Sequence, residues 1–174
     1  MSRVLLISDT HFSHRNICNF RTQFSTPDEH DDFIFNNIMN TVNKRDTLWM
    51  LGDIAFDLDG WLRIQEISKA VENLNIIVGN HDTDKPHRNQ KFKAMVEGGY
   101  FHKVGSMFKV NKFWLTHPPI HPTELRGKKN IHGHTHNVIV DDENYINVCC
   151  EHVNYTPVNF QDIVNGHYTT HNRI

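Results

Sequence analysis

The sequence predicts an α/β protein, and three observations carry that reading. Short apolar runs at Val4–Ile7 and at residues 46–51 and 75–78 each stop at a polar or glycine-containing turn, as strands buried on both faces do. Between them, residues 28–42 and 62–74 repeat apolar side chains at helical spacing. The second half changes to short strand-like segments separated by turn residues.

The elements follow in order. Val4-Leu5-Leu6-Ile7 ends at Ser8-Asp9, which places Asp9 at the C-terminal mouth of the first strand. Phe33, Ile34, Ile38, Met39 and Val42 make an amphipathic helix, with Thr26 and Pro27 as its start signals. The second strand ends at Gly52-Asp53, and the next helix carries an Ile64, Ile67, Ala70, Val71, Leu74 stripe. The third strand ends at Gly79-Asn80. Three strands in succession thus deliver a polar residue at their C-terminal ends, where open α/β sheets place their sites. Further strands are expected at residues 100–104, 107–110, 112–116, 130–132, 138–140 and 145–149. Turns at Asn111-Lys112 and at residues 141–144 imply a mostly antiparallel second sheet. Pro118, Pro119 and Pro122 hold a loop after His117, and residues 159–165 form a short closing helix.

A chain of 174 residues suits one domain with a proper core, and no repeat, low-complexity tract or linker divides it. A single domain over residues 1–174 is expected. The formal charge of -2 with 22% charged residues gives no general nucleic-acid signature. Cys18, Cys149 and Cys150, two of them adjacent, make a poor disulfide framework, so a reducing cytoplasmic setting is expected. Residues 1–3 lead straight into a strand rather than a signal-peptide core, and no apolar stretch approaches the roughly 18 residues that span a bilayer. No membrane partner is expected.

The chemistry lies in the histidines, of which there are 14. Asp9-x-His11 and His134-x-His136 have the spacing that, in extended backbone, sends both side chains to one side. Asp53 and Asn80 each follow a glycine at a strand end, and His117 follows the apolar run 113–115. Asp9, His11, Asp53, Asn80, His117, His134 and His136 thereby collect at one topological edge. If one carboxylate bridges, they supply four bonds to each of two ions. The carboxylate, carboxamide and imidazole mixture suits Mn2+, with Fe, Zn or Ni as alternatives, and not a thiolate zinc site. Two ions ~3.5–4 Å apart can hold a bridging hydroxide and clamp phosphoryl oxygens. His81, next to Asn80 but without a ligand duty, is the natural general acid for a leaving oxygen, a role suited to imidazole.

Asp9-Thr10-His11, Gly52-Asp53, Gly79-Asn80-His81-Asp82, Thr116-His117 and Gly133-His134-Thr135-His136 together resemble the ordered signature of calcineurin-like metallophosphoesterases. The opening residues 8–17, and Ile146-Asn147-Val148 with Tyr155, Pro157 and Val158, are similar to the small single-domain members of bacteria and phages. The resemblance spans nearly the whole chain. It implies a four-layer α/β/β/α sandwich of two mixed β-sheets flanked by helices, in the cytoplasm of a bacterium or a phage-infected host. It also implies that Asp9, His11 and His136 hold one ion, that Asn80, His117 and His134 hold the other, and that Asp53 bridges. Thr116 departs from the glycine often found before the equivalent of His117. The absence of Asp-Arg-Gly after Gly52-Asp53, and of the Gly-Asn-His-Glu form, argues against a protein phosphatase.

Any one of these histidines alone reads as a surface or core residue, and only their joint order reverses that. His14, Arg15 and Asn16 are substrate-binding candidates, weighed equally against a solvated turn. Lys85, His87, Arg88, Lys91 and Lys93 read first as a solvated helix face and second as a track steering a polyanion. His121, Arg126, Lys128 and Lys129 flank the ligands His117 and His134 and are weaker candidates. His152, His167 and His171 read as surface residues, Cys149 and Cys150 as sheet-face residues, and Trp49, Trp61 and Trp114 as packing. Asp82 and Asp57 both stand as partners for His81. The reading that results is a dinuclear phosphoesterase acting on phosphodiesters of small or nucleotide-like substrates by attack of a metal-bridging hydroxide. The alternatives are a nuclease acting on DNA or RNA, a phosphomonoesterase, and a non-catalytic metal-binding scaffold.

Overall fold

The computed structural model describes residues 2–170, so His171 lies outside the described residues. One sheet has the order β4-β3-β2-β1-β9, from β1 (Val4–Ile7), β2 (Thr47–Met50), β3 (Asn73–Ile77), β4 (Lys103–Gly105) and β9 (Val158–Asn159). The strands β1 to β4 are parallel and β9 closes the edge antiparallel to β1. The other sheet runs in chain order through β5 (Met107–Val110), β6 (Phe113–Thr116), β7 (Lys129–His132) and β8 (Tyr145–Asn147). Both sheets are mixed and helices flank them, in the α/β arrangement of two mixed sheets that the sequence led one to expect.

The second sheet departs from the turn-based expectation. Only β5 and β6 form a hairpin, through Asn111 at φ 52°, whereas β6, β7 and β8 are parallel. Residues 117–128 and 133–144 provide the crossovers of about a dozen residues that parallel pairing needs. The expected strand at residues 138–140 does not form, and Val138 and Ile139 lie exposed in the second crossover.

The helices are α1 (Pro27–Thr41), α2 (Leu58–Ala70), α3 (Asn80–Thr83), α4 (Pro86–Glu97), α5 (Pro122–Leu125) and α6 (Phe160–Val164). Thr26 caps α1 by accepting from Glu29 N at 3.1 Å, and Glu29 accepts from Ser25 N at 2.8 Å. α2 begins at Leu58 because Asp57 caps it, accepting from Leu58 N at 2.8 Å. The apolar stripe therefore ran past the helix: Val71 follows it and Leu74 belongs to β3.

The core forms between the sheets and under the helices. In-register Leu5, Leu48 and Leu74 are all at most 2% exposed, and each contributes about 1.5–3 kcal/mol by burial. Across the layers, the Trp49 and Phe108 rings meet at 5.1 Å. Trp61 is buried and Trp114 donates to Leu125 O at 3.2 Å, so the tryptophans do serve packing. The sheets join where β1 ends, with Ser8 N donating to Val148 O at 2.9 Å and Cys150 N to Ser8 O at 3.1 Å. Their C-terminal ends consequently share one edge. Among the described residues no helix is long and apolar enough to cross a membrane.

At the opposite end Asp46, fully buried, accepts from Arg3 N at 3.0 Å, Arg3 Nη2 at 2.5 Å and Asn43 N at 3.0 Å. Burial acts to raise its pKa, and these donors overcome it and hold it below 3.8. Asp46→Asn is expected to destabilise the protein by about 1–3 kcal/mol at neutral pH. Because the folded pKa is the lower one, the carboxylate stabilises fully above 3.8 and progressively less as pH falls through the folded value. Urea unfolding at neutral pH and below 3.8 should show the gap between variant and wild type narrowing in acid.

Candidate metal centre

Asp9, Asp53 and Asn80 follow β1, β2 and β3, while His117 and His134 follow β6 and β7. One donor atom from each of Asp9, His11 and His136 lies within 4.8 Å of the others, and the same holds for Asp53, His117 and His134. His11 Nε2 is 3.5 Å and His136 Nε2 3.8 Å from Asp9 Oδ1. His117 Nε2 is 3.0 Å from Asn80 Oδ1 and 3.2 Å from His134 Nδ1. Asp53 Oδ2 stands between the groups, 3.3 Å from His117 Nε2 and 3.9 Å from His11 Nε2. All seven sequence candidates come together, and His134 and His136 part to different groups.

The backbone achieves this differently from the extended Asp-x-His expected. Asp9, His11, Asp53, His134 and His136 have φ of 59°, 51°, 51°, 70° and 47°, the left-handed region. Tight turns, not a pleated strand, aim these side chains. Gly52, at φ 91°, permits a close approach: a Cβ there would lie 2.5 Å from His117 Nδ1 and 2.7 Å from the Gly79 backbone. Gly133 likewise packs directly on the Ser8 and Asp9 side chains.

Several groups fix the ligands from behind. Asp82 is fully buried and accepts from Gly79 N at 2.7 Å, Ile54 N at 2.8 Å and Asp53 N at 3.1 Å. Burial pushes its pKa up to about 7, against the pull of these donors. Its duty is to bind two ligand turns together, so it is not the partner of His81. His117 Nδ1 donates to Leu51 O at 2.7 Å, which leaves Nε2 for the site. Ser8 Oγ, at 2.6 Å, and Cys149 Sγ, at 3.1 Å, both reach Asp9 Oδ2. Cys149 therefore floors the site rather than merely filling the sheet face.

A buried chain of polar groups, invisible in the sequence, supports the first ligand group. Glu151 Oε1 lies 3.0 Å from His136 Nδ1 and accepts from Arg21 Nε at 2.9 Å. Arg21, only 2% exposed, also donates to Asp9 O at 2.7 Å and lies 2.7 Å from His30 Nε2. His30 Nδ1 in turn meets Asp31 Oδ1 at 2.8 Å. Arg21 and Glu151 lie 130 positions apart, beyond the reach of any local pattern.

Electrostatics favours a cation. Burial acts to raise the Asp9 pKa, but His11, His117 and His136 overcome it and hold it well below the carboxylate range. Burial lowers His117, yet Asp53 and Asp9 raise it to about 9. Asp9 Oδ1 and His11 Nε2 are buried without a hydrogen-bond partner, where buried polar atoms are nearly always paired. Two orphaned donors facing each other in a nitrogen and oxygen set fit a divalent ion.

The remaining candidates separate. His81 stands at the rim, its Nδ1 3.0 Å from Asp84 Oδ2, and Arg88 donates to Asp84 at 3.0 Å. Asp84 is thus its partner, not Asp57, which pairs with Lys91 and with Arg15 at 3.7 Å. The three-residue spacing of His81 and Asp84 would have found the pair had a helical turn been read there. His14 faces the site, 5.9 Å from the His11 ring. Arg15 turns outward at 89% side-chain exposure, and Asn16 is exposed at the start of a short 3-10 turn without a capping hydrogen bond, so neither joins it. Of the basic stretch, Lys85 and Arg88 line the adjoining cavity, while Lys93 pairs with Glu97 at 3.6 Å. Arg126 pairs with Glu124, Lys128 covers Trp114, and Lys129 reaches Glu143 O. Thr116, in the place of glycine, pins the loop after His117 by donating to Pro118 O at 2.7 Å. His152 is buried, not a surface residue, and His167 is exposed.

No known family profile matches the chain. The uncharacterized protein MJ1445 of Methanocaldococcus jannaschii is 30% identical over 174 aligned residues, covering 94% of this chain and 90% of that protein. The Gene 66 protein of Mycobacterium phage L5 is 28% identical, covering 80% of each. The solved structure of the protein of unknown function AQ665 from Aquifex aeolicus shares the fold, with a TM-score of 0.72 at 23% identity, covering 95% of this chain and 99% of that one. Two mixed sheets thus bring an ordered Asp, Asn and His set, a candidate site for divalent metals, to their shared edge. The chain belongs to one family with MJ1445 of M. jannaschii.

Glu151→Gln keeps the shape beside His136 but removes the charge. It is expected to weaken metal binding by the Asp9, His11 and His136 group about 10- to 100-fold, in the range for a lost outer partner. The Asp53, His117 and His134 group should be unaffected. Metal titration followed by ion stoichiometry checks this, and equal weakening of both ions would contradict it.

Proposed function

We propose that the protein is a dinuclear metal-dependent phosphoesterase that hydrolyses small phosphodiesters, with His81 as general acid. The observation that carries this reading is the pairing of two ligand groups around Asp53 with a rim imidazole held by a carboxylate. When bound, two divalent ions, Mn2+ foremost with Fe, Zn or Ni as alternatives, supply a hydroxide nucleophile at neutral pH and charge that holds the phosphoryl oxygens.

The chain itself supplies position and protons. Asp9, His11, Asp53 and His117 form a buried floor, while Asn80 and His134 are exposed toward an incoming ester. Asp84 orients the His81 ring through Nδ1 and leaves Nε2 to hand a proton to the departing oxygen as the phosphorus–oxygen bond breaks. The His81 backbone N donates to Asp53 Oδ1 at 2.8 Å, which ties the acid to the carboxylate shared by the two groups. No inserted cap closes over this edge among the described residues, and such openness favours accessible diesters over a tightly enclosed monoester.

A nuclease is the second reading, because Lys85 and Arg88 flank the site. Against it, Lys91 and Lys93 are committed to Asp57 and Glu97, which leaves no continuous basic track along α4. Cleavage of labelled oligonucleotides by the Mn-loaded protein would favour the nuclease.

Chelation is expected to abolish turnover. His81→Ala should lower kcat/KM for alkyl diesters ~10²-fold or more, and less for activated aryl leaving groups that need no proton. Its metal content should not change. A matrix of metals against mono- and diesters provides the measurement; equal or better turnover of monoesters would overturn the diester assignment.

A further inference from the structure

Beside the centre lies a cavity of about 690 Å³, within the range of small-molecule sites. His11 and His136 of the first ligand group form one end, and His81, Asp84 and Arg88 form a side. Since His81 faces this space, the group attached to the oxygen it protonates must extend into it. The walls therefore describe the leaving group.

Those walls are flat and aromatic. Phe20 is 73% exposed, the most exposed large apolar side chain among the described residues. Phe56 is sandwiched, with the His11 ring stacked at 5.1 Å and the Arg88 guanidinium at 4.0 Å. The His14 ring stands edge-on to both, 4.5 Å from Phe56 and 6.1 Å from Phe20. Arg88 Nε and His14 Nδ1 are buried and have no hydrogen-bond partner. Asn19, Lys85 and Asn137 add polar groups around the opening. A plain alkyl group would use neither the exposed Phe20 face nor the polar rim, and a bare aryl ring would leave the rim unused. A planar heterocycle on a hydroxylated sugar uses both: the base stacks on aromatic faces and the sugar meets the polar rim.

We propose, on the basis of the phosphodiesterase reading above, that this cavity is a leaving-group subsite for a nucleoside, with Phe20 as its base-stacking wall. Hydrolysis of a nucleosidyl phosphodiester then adds a water oxygen to phosphorus and breaks the phosphorus–oxygen bond to the nucleoside. The proton from His81 ends on the nucleoside hydroxyl, and a phosphomonoester of the other alcohol remains.

The direction of cleavage tests this. Adenosine 5′-methyl phosphate offers two alkoxide leaving groups of similar basicity, so intrinsic reactivity does not choose between them. With Mn2+, wild type should release adenosine and methyl phosphate, and Phe20→Ala should move the products toward an even mixture. Predominant methanol and AMP from wild type would overturn the subsite. Adenosine binding to the metal-free protein, followed by NMR, is the independent arm. Phe20→Ala should weaken it ~10-fold, in the range for losing one base–aromatic stack. Failure of wild type to bind adenosine, or equal binding by the variant, would also overturn the proposal. If the diester is not cleaved under any metal while adenosine binds in a Phe20-dependent way, the subsite stands and the phosphodiesterase reading falls.

Discussion

Left-handed backbone at five of the seven candidate ligands is the constraint on which the rest of the site depends. Each such conformation costs roughly 1–3 kcal/mol and persists only where the surroundings impose it. Here three supports do so: the parallel ladder that ends each strand at the same edge, Asp82 clasping the Gly52 and Gly79 turns, and Arg21 holding the Asp9 carbonyl. All five residues are Asp or His. These are among the side chains that best tolerate the left-handed region, and they are also the ones that bind hard and borderline metals. One choice of residue type satisfies both demands.

The electrostatic arrangement follows from that geometry. With Asp9 and Asp53 packed among four imidazoles, protons settle where ions would otherwise lie: the carboxylates are held low and His117 is raised to about 9 between them. A cation entering such a cluster displaces protons rather than water alone, so binding and protonation compete for the same donors. The outer partners take part. Burial acts to raise Glu151, yet His136 and Arg21 draw it down to about 2, so it stays charged and can steady His136 as a ligand.

The convergence of the seven candidates was legible in the sequence because strand ends and glycines mark positions that a sheet must bring to one edge. All seven candidates do meet there. Their conformation was not legible, since Asp9-x-His11 has the spacing of a strand and adopts instead the φ of a turn. Parallel pairing in the second sheet escaped notice because residues 117–128 and 133–144 look like loops, and only the closed fold reveals them as crossovers. Arg21 and Glu151 were unreachable for the same reason: a buried ion pair across 130 positions leaves no periodic trace. Asp84 stands at helical spacing from His81, but in the sequence Asp82 is the nearer carboxylate, and its burial under Asp53 is a tertiary fact.

The molecule divides its labour by chain segment. Both sheets supply the ligands, through strand ends and the turns that follow them. By contrast the rim imidazole His81, its partner Asp84, and the cavity residues Lys85 and Arg88 all come from α3, the start of α4 and the turn between them. Arg88 links the two roles, since one guanidinium holds Asp84 and covers Phe56. The backbone bond from His81 N to Asp53, Asp82 beneath it, and the approach of Asn80 to His117 anchor this segment to the ligand turns. A substitution at residue 85 or 88 therefore changes the cavity wall and the setting of Asp84 and His81. The two ligand groups, built on the sheets, keep their geometry.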